Sequence, residues 1–162
     1  MRVIKDKKIS DDDWVVVREL EDSAPAPTGN AILPFSYWRA NRDELLKQNT
    51  THAVWIDGDI ETEELSGDLQ HFSMIALDFP AFKDGRSYSH ARLLRDRYAY
   101  KGDLRAIGDV LRDQLFYMHR SGISSFLLAE DKDIEDALKG FQDFTVRYQA
   151  AADDAVPIYK LR

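Results

Sequence analysis

Residues 82–122 read FKDGRSYSHARLLRDRYAYKGDLRAIGDVLRDQLFYMHRSG, and this stretch carries the pattern on which the fold and the candidate site depend. Its glycine-marked turns and apolar spacing predict one strand flanked by two amphipathic helices. Between Arg86 and Arg120 it holds seven arginines and one lysine against four aspartates, a net charge of +4 that leaves −11 for the rest of the chain. An acidic protein with one basic segment points to a local contact with a small anion or an acidic partner surface.

Short apolar runs alternate with helical patterns on both sides of this stretch. From residue 31 onward, apolar runs at 31–35, 53–56, 74–77, 104–107 and 125–128 each precede an amphipathic helix. Five consecutive βα units predict an α/β fold with a mainly parallel sheet and right-handed crossovers. Glycine at the end of a helix, directly before a buried strand at 125–128, is typical of barrel units. We therefore favour a partial (βα) barrel over a doubly wound open sheet.

The length and composition predict one domain over residues 1–162, with 44% hydrophobic and 31% charged residues. Residues 1–13 are polar and charged, and we interpret them as a mobile N-terminal arm that is able to add an edge strand. Residues 21–30 (EDSAPAPTGN) form a loop. No apolar run is long enough to span a bilayer, and the start lacks the apolar core of a secretory signal. We expect a cytoplasmic bacterial protein without membrane contact.

Several classes of chemistry are excluded by residue type. The chain has no cysteine, so it has no thiol nucleophile, disulfide or cysteine-ligated metal centre of its own. Its net charge of −7 argues against nucleic-acid binding. Nucleotide, flavin, phosphate-loop, serine-hydrolase and zinc-protease fingerprints are all missing, so no cofactor is identifiable from the sequence.

Carboxylates follow four successive predicted strands, at the ends where ligands bind in parallel α/β folds. The residues concerned are Asp57, Asp78, Asp109 and the pair Glu130 and Asp131. A single aspartate before a helix is more often an N-cap than a ligand, but Asp78 is followed by Phe79 and Pro80 rather than by a helix. Asp78 and Asp109, together with Arg105 in the next strand, are therefore candidate catalytic groups, and Asp57, Asp78 and Asp109 are weak candidates for a metal site.

A second candidate site lies in the loop before the next helix. Asp84, Gly85, Arg86 and Ser89 place backbone N–H groups, a hydroxyl and a guanidinium at a helix N-terminus, which favours an anion. The alternative is an ordinary turn with a serine cap. Arg105 interrupts a predicted strand, so we expect a carboxylate or a ligand beside it, with Asp78, Asp109 and Asp113 as candidate partners. Gln114, near a strand end, is a further candidate ligand contact.

The stretch closely resembles the bacterial DUF934 family, whose pattern runs F-x-DGR-x-x-S-x-A-x-x-LR-x-R and then G-[ED]-LRA-x-GDVL-x-DQ. The first part is matched by Phe82, Asp84, Gly85, Arg86, Ser89, Ala91, Leu94, Arg95 and Arg97. The second part is matched by Gly102, Leu104, Arg105, Ala106, Gly108, Asp109, Val110, Leu111, Asp113 and Gln114. The family carries the label of a probable oxidoreductase involved in sulfite reduction, with no established catalytic residues.

The resemblance and the residues together favour an accessory protein of assimilatory sulfite reduction. Its arginine-rich segment would bind a small oxyanion or an acidic partner such as sulfite reductase or another sulfur-assimilation protein, with Arg86 and Arg105 as the anion contacts. The alternative is an enzyme on a (βα) scaffold that uses strand-end carboxylates on an anionic substrate. An open sheet edge needs covering, which favours a homodimer.

Overall fold

The computed structural model describes residues 1–81 and 85–142. The strands are β1 Arg2–Lys5, β2 Lys8–Asp11, β3 Val15–Val16, β4 Ala31–Pro34, β5 His52–Ile56, β6 Phe72–Phe79, β7 Asp103–Gly108 and β8 Ser125–Phe126. The α-helices are α1 Phe35–Leu46, α2 Thr62–Leu65, α3 Arg86–Asp96, α4 Leu115–Arg120 and α5 Ile134–Leu138. Short 3₁₀ helices cover Leu69–His71, Arg112–Gln114 and Lys139–Gln142. No helix within these residues is long and apolar enough to cross a membrane.

All of these strands form one sheet in the order β2-β1-β8-β7-β6-β5-β4-β3. The pairs from β3 to β8 are parallel, whereas β1 pairs antiparallel with both β2 and β8. The sheet is therefore mixed, and the expectation of a mainly parallel sheet is wrong. The physical reason is the N-terminal hairpin, which inserts a reversed strand beside β8.

Residues 1–13, which the sequence predicted as a mobile arm, contain the whole of that hairpin. Its two-residue turn is Asp6-Lys7, and both residues have positive φ, 50° and 62°. This is the backbone that a tight hairpin turn requires, and Asn-Gly or Asp-Gly usually supplies it. Aspartate fits the first position here, but lysine stands where glycine is usual, so the hairpin signal is weak. Residues 21–30 contain turns and bends, as a loop does.

The sheet is curled into a half-barrel, and chain connectivity shows why. Strands β2 and β3 are its opposite edges, yet only Asp12, Asp13 and Trp14 separate them in sequence. Edge strands of a flat sheet of this size would lie roughly 33 Å apart at about 4.8 Å per strand. The four residue steps from β2 to β3 reach at most about 14 Å. The edges must therefore approach each other, with the link running across the concave side.

Strand side chains alternate between two cores, one on each face of the sheet. On the convex face, residues such as Val54, Ile75 and Leu104 pack with the helices in the larger core. On the concave face, a smaller cluster contains Ile32, Ala53, Met74, Ala76 and Ile107, with Trp14 and Trp55 packed against it. Polar side chains on the concave face of β6 and β7 therefore point into the half-barrel.

Candidate functional site

Arg105 lies inside the half-barrel, paired along the sheet with Ala76 on β6 and Ser125 on β8. Its residue surface is only 1% exposed. The guanidinium donates from Nε to the Ser125 hydroxyl at 3.0 Å and from Nη2 to the Asp12 carboxylate, and Nη2 lies 3.5 Å from Asp103 Oδ2. Arg105 thus has two carboxylate partners, but they are Asp12 and Asp103 rather than Asp78, Asp109 or Asp113.

Asp103 anchors this buried cluster from the amino end of β7. Its carboxylate accepts hydrogen bonds from the hydroxyls of Ser124 at 2.5 Å and Ser125 at 2.8 Å, and Lys5 Nζ lies 3.8 Å away. Arg105 Nη1 is buried and has no hydrogen-bond partner among the described residues. The cluster therefore ties β1, β7, β8 and the link that carries Asp12 into one unit.

A pocket of about 550 Å³ opens at the carboxyl ends of β3, β7 and β8, next to this cluster. Its lining residues come from both sides of the half-barrel: Met1, Arg2, Val16, Arg18, Ile107, Gly108, Leu127, Leu128, Ala129, Glu130, Lys132 and Ile134. We refer to it as the mouth pocket. The curl of the sheet creates it, because Val16 and Arg18 approach from one edge while Met1 and Arg2 approach from the other.

Arg18 is the basic group that the fold positions most firmly in the mouth pocket. The backbone before it is held by hydrogen bonds from Val17 N–H to the Ile32 carbonyl at 3.0 Å and from Trp55 Nε1 to the Val17 carbonyl at 2.8 Å. The Arg18 guanidinium lies 5.3 Å from the centroid of the Trp55 ring, within cation–π range. Its Nη1 lies 2.9 Å from Asp78 Oδ1.

Asp78 is the one strand-end carboxylate among the sequence candidates that is buried, at 8% exposure. Asp78 does not itself line the mouth pocket: its Oδ1 lies behind two residues that do, Arg18 and Gly108, and the missing side chain at Gly108 makes room for it. A Cβ at Gly108, where φ is +88°, would lie 2.7 Å from Asp78 Oδ1 and 2.6 Å from the Phe79 carbonyl oxygen. The Ser87 hydroxyl donates to the Asp78 carbonyl at 2.7 Å, which fixes the start of α3 against the end of β6.

The other strand-end carboxylates do not join Asp78. Asp57 accepts a hydrogen bond from the backbone N–H of Asp59 at 2.9 Å, which closes a local turn. Asp109 is half-buried, and its backbone N–H donates to the Phe79 carbonyl at 2.7 Å. Within residues 1–81 and 85–142, no three His, Asp or Glu side chains are grouped as a metal site requires. The proposed set Asp57, Asp78 and Asp109 is therefore not a metal centre in this structure.

The predicted anion loop is also arranged differently from the expectation. Arg86 forms an ion pair with Asp59, and its side chain lies directly over Gly58, in the loop after β5. Gly85 and Ser89 are exposed. Asp84 lies outside the described residues. Arg86 and Arg105 therefore contact different partners, Arg86 in an exposed loop and Arg105 inside the half-barrel. Gln114 is half-buried in the turn before α4.

Arg95 has a structural environment that the sequence did not reveal. Its guanidinium donates to the carbonyl oxygens of Gly122 at 2.9 Å, Tyr100 at 2.7 Å and Gly102 at 2.8 Å. Burial lowers the pKa of Arg95 from its ordinary value. Tyr100 and Gly102 lie in the loop before β7, and Gly122 lies in the loop between α4 and β8, so Arg95 fastens α3 to both ends of the following βα segment.

Sequence reasoning missed Arg18, Asp12 and Asp103. The signal for Arg18 was its place directly after the β-branched run at 15–17, at a strand end. The strand-end residues predicted to belong to a site are all carboxylates from Asp57 onward, so an arginine at a strand end is not among them. No local signal identified Asp12, because its contact with Arg105 spans 93 positions of sequence.

Comparison with known proteins identifies one family. No curated protein and no solved structure matches the chain at a significant level. Residues 53–159, most of the chain, match the family described as bacterial protein of unknown function (DUF934). The matched region begins within β5 and includes Asp78, Arg105 and Gly108. The chain therefore belongs to the DUF934 family.

Proposed function

We propose that this chain is an accessory protein of assimilatory sulfite reduction that docks on an acidic partner surface through the exposed side of α3. The assignment to sulfite reduction comes from the resemblance of the arginine-rich segment to the DUF934 family. The exposed side chains of α3 support docking as the mode of action. The partner class that fits both is an acidic enzyme surface, with sulfite reductase as the first candidate.

The observation that carries the proposal is an apolar side chain among arginines on a helix surface. Leu93 is 38% exposed, and the side chain of Arg92 is 42% exposed. Arg97, directly after α3, is also exposed. We call Arg92, Leu93 and Arg97 the α3 face. A single exposed leucine is common on protein surfaces. The arginines beside Leu93, with Asp96 as the one carboxylate between them, are what suit this face to an acidic partner.

Charge complementarity supports an acidic partner. The chain as a whole carries −7, so an acidic protein would be repelled by most of its surface and attracted at the α3 face. Such an arrangement orients the encounter and raises the association rate, and it weakens as salt screens the charges. Arg95 is excluded from this face because backbone carbonyls occupy its guanidinium.

The small-oxyanion version of the expectation has weaker support. It required Arg86 and Arg105 to act together, but Arg105 is enclosed between Asp12 and Asp103 while Arg86 pairs with Asp59. A sulfite-sized ion would have to displace carboxylates that already neutralise these guanidiniums. Docking uses Arg97, which is exposed, and Arg92, whose partner Asp96 lies 3.4 Å away on the same helix and is itself exposed.

The test is binding of the purified chain to sulfite reductase, measured by biolayer interferometry at several salt concentrations. The double charge reversal Arg92→Glu/Arg97→Glu should raise the Kd at least about tenfold, since it places like charges against the partner. Lys8→Glu/Lys47→Glu is the matched control, because it makes the same charge change at exposed lysines on β2 and after α1. The control should bind as the wild type does.

Two results would contradict docking through the α3 face. One is equal weakening by both double variants, which would indicate a general charge effect. The other is an absence of binding by the wild-type chain at low salt, where electrostatic attraction is strongest.

A second candidate function is an enzyme in which Asp78 acts as a general acid or base. The observation in its favour is the position of this buried carboxylate beside Arg18 at the mouth pocket. Asp78→Asn would abolish turnover while leaving docking through the α3 face intact. An Asp78→Asn variant with wild-type turnover of an identified substrate would exclude this role.

A further inference from the structure

We infer that the mouth pocket binds a small organic acid with an apolar body and a hydrogen-bond donor on the carbon next to its carboxylate, that is, an apolar α-amino or α-hydroxy acid. This site is separate from the α3 face, and the inference stands whether or not docking occurs. Three features of the pocket carry it: the open donors of Arg18, the unsatisfied carboxylate of Asp78 and the apolar walls.

The first feature is a guanidinium that is held in place but has open donors. Among the described residues, Arg18 contacts only Asp78 and the Trp55 ring, and 46% of its side chain is exposed. The ion pair involves Nη1, and Nε and Nη2 have no acceptor within residues 1–81 and 85–142. A ligand carboxylate is the group that matches two adjacent guanidinium N–H donors in a planar fork.

The second feature is a buried acceptor without a donor. Asp78 Oδ1 is buried and has no hydrogen bond from the described residues, although Arg18 Nη1 lies 2.9 Å away. The two observations agree if the N–H bond of Arg18 is not aligned with the oxygen, so that the contact is electrostatic only. A buried carboxylate oxygen without a hydrogen bond is costly, and a ligand N–H or O–H would satisfy it by entering between Arg18 and Gly108, the lining residues in front of it, which requires the exposed Arg18 side chain to shift.

The positions of these two groups define the ligand. Because the Arg18 guanidinium and the Asp78 carboxylate are in contact, a ligand that binds both must carry its hydrogen-bond donor on the carbon next to its own carboxylate. An α-amino acid and an α-hydroxy acid have this arrangement. A plain carboxylic acid lacks the donor, and a plain amine lacks the acid.

The third feature is the lining of the rest of the pocket. Val16, Ile107 and Leu127 are on the concave face, and Leu128 and Ile134 add further apolar surface. The volume of about 550 Å³ is far more than a sulfite ion needs, and it lies within the range of roughly 300–1,000 Å³ for small-molecule sites. Arg2, Glu130 and Lys132 also line the pocket, and the apolar part of its walls favours a ligand with an apolar side chain.

The inference is tested by calorimetric titration of the full chain with four probes that share one apolar body. Phenylalanine and phenyllactate carry both groups, phenylpropanoate lacks the donor, and phenethylamine lacks the acid. We expect the first two to bind and each of the other two to bind at least about tenfold more weakly, because one buried polar group then stays unpaired.

Arg18→Gln should raise the Kd of phenylalanine at least about tenfold. Arg39→Gln is the matched control: Arg39 is also about half exposed, pairs with a carboxylate, Glu64, and lies 5.2 Å from an aromatic ring centroid, that of Phe35. The Arg39→Gln variant should bind phenylalanine as the wild type does. Equal melting temperatures of the two variants would show that misfolding does not cause the weaker binding of Arg18→Gln.

Three outcomes would overturn the inference. They are no binding of either acid up to about 10 mM, equal affinity for phenylalanine and phenylpropanoate, and wild-type affinity in Arg18→Gln. The probe series on the wild-type chain keeps the test valid even if Arg18→Gln fails to fold. A failure here leaves docking through the α3 face untouched, because no residue is shared between the two.

Discussion

Replacing Arg105 with methionine should destabilise the protein strongly, since the change removes the cation from a buried cluster. Arg105 is 1% exposed, and the side chains of its partners Asp12 and Asp103 are 19% and 8% exposed. Removing one partner of a buried ion pair costs about 3–5 kcal/mol, because the remaining charge is left without compensation. Asp103 keeps its hydrogen bonds from Ser124 and Ser125, so we expect a loss of about 3–4 kcal/mol.

This loss is a large share of the stability of a domain of this size, typically about 5–15 kcal/mol. Urea unfolding, followed by the fluorescence of the three tryptophans, measures it directly. Arg39→Met is the control: Arg39 Nη1 lies 2.5 Å from Glu64, and the two side chains are 50% and 37% exposed. An exposed pair contributes about 0–1 kcal/mol, so the control should change stability little.

A double-mutant cycle separates the buried charge from lost packing. Adding Asp103→Asn to Arg105→Met should recover part of the loss, about 1–2 kcal/mol, because it removes an uncompensated carboxylate. A loss of less than about 1 kcal/mol in Arg105→Met would refute the reasoning. In that case the cluster would not hold the half-barrel together, and Arg105 would again be a candidate ligand contact.

Two further predictions concern single positions. Gly108→Ala should lower the free energy of unfolding in urea by about 1–3 kcal/mol, since φ is +88° and the new Cβ would meet the Phe79 carbonyl. Gly67→Ala, with open space around it, should be near neutral. Equal losses in the two variants would contradict this account. Burial, and then the nearby charge of His71, lowers the pKa of His52, so the unfolded chain binds more protons as the pH falls below about 6.5. The contribution of His52 to the free energy of unfolding should be fully present above that pH and decline below it. Urea midpoints measured at several pH values should therefore fall less with decreasing pH in His52→Gln than in the wild type. Equal slopes of midpoint against pH would contradict this account.

The arginines of the basic segment have different roles, although they look alike in sequence. Arg95 and Arg105 are structural, since the first clamps backbone carbonyls and the second closes the concave cluster. Arg86 pairs with Asp59 over Gly58. Arg92 and Arg97 lie beside the exposed Leu93, whereas Arg112, also 42% exposed, lies 3.9 Å from Asp136. The local charge of +4 therefore overstates the number of arginines that can meet an anion or a partner.

Local patterns were enough to locate much of the secondary structure. Apolar runs predicted strands at 53–56, 74–77 and 104–107, where β5, β6 and β7 lie. Helical spacing from residue 88 indicated α3, which begins two residues earlier at Arg86. These signals are local because the two-residue and 3.6-residue periods of side-chain direction follow from the backbone itself. The N-terminal hairpin was not predicted because Lys7 stands in its turn where glycine is usual.

The sequence by itself determined that this chain carries no cysteine chemistry, that one segment of an acidic chain has a net positive charge, and that it folds as α and β elements. Only the tertiary structure decided which charges meet. Arg105 pairs with Asp12 because the link from β2 to β3 crosses the concave face, and Arg18 meets Asp78 because β3 and β6 share one curled sheet. The mouth pocket has the same origin, since its walls come from opposite sheet edges. Such contacts depend on register and curl, which are set by the whole sheet and leave no periodic trace in the local sequence.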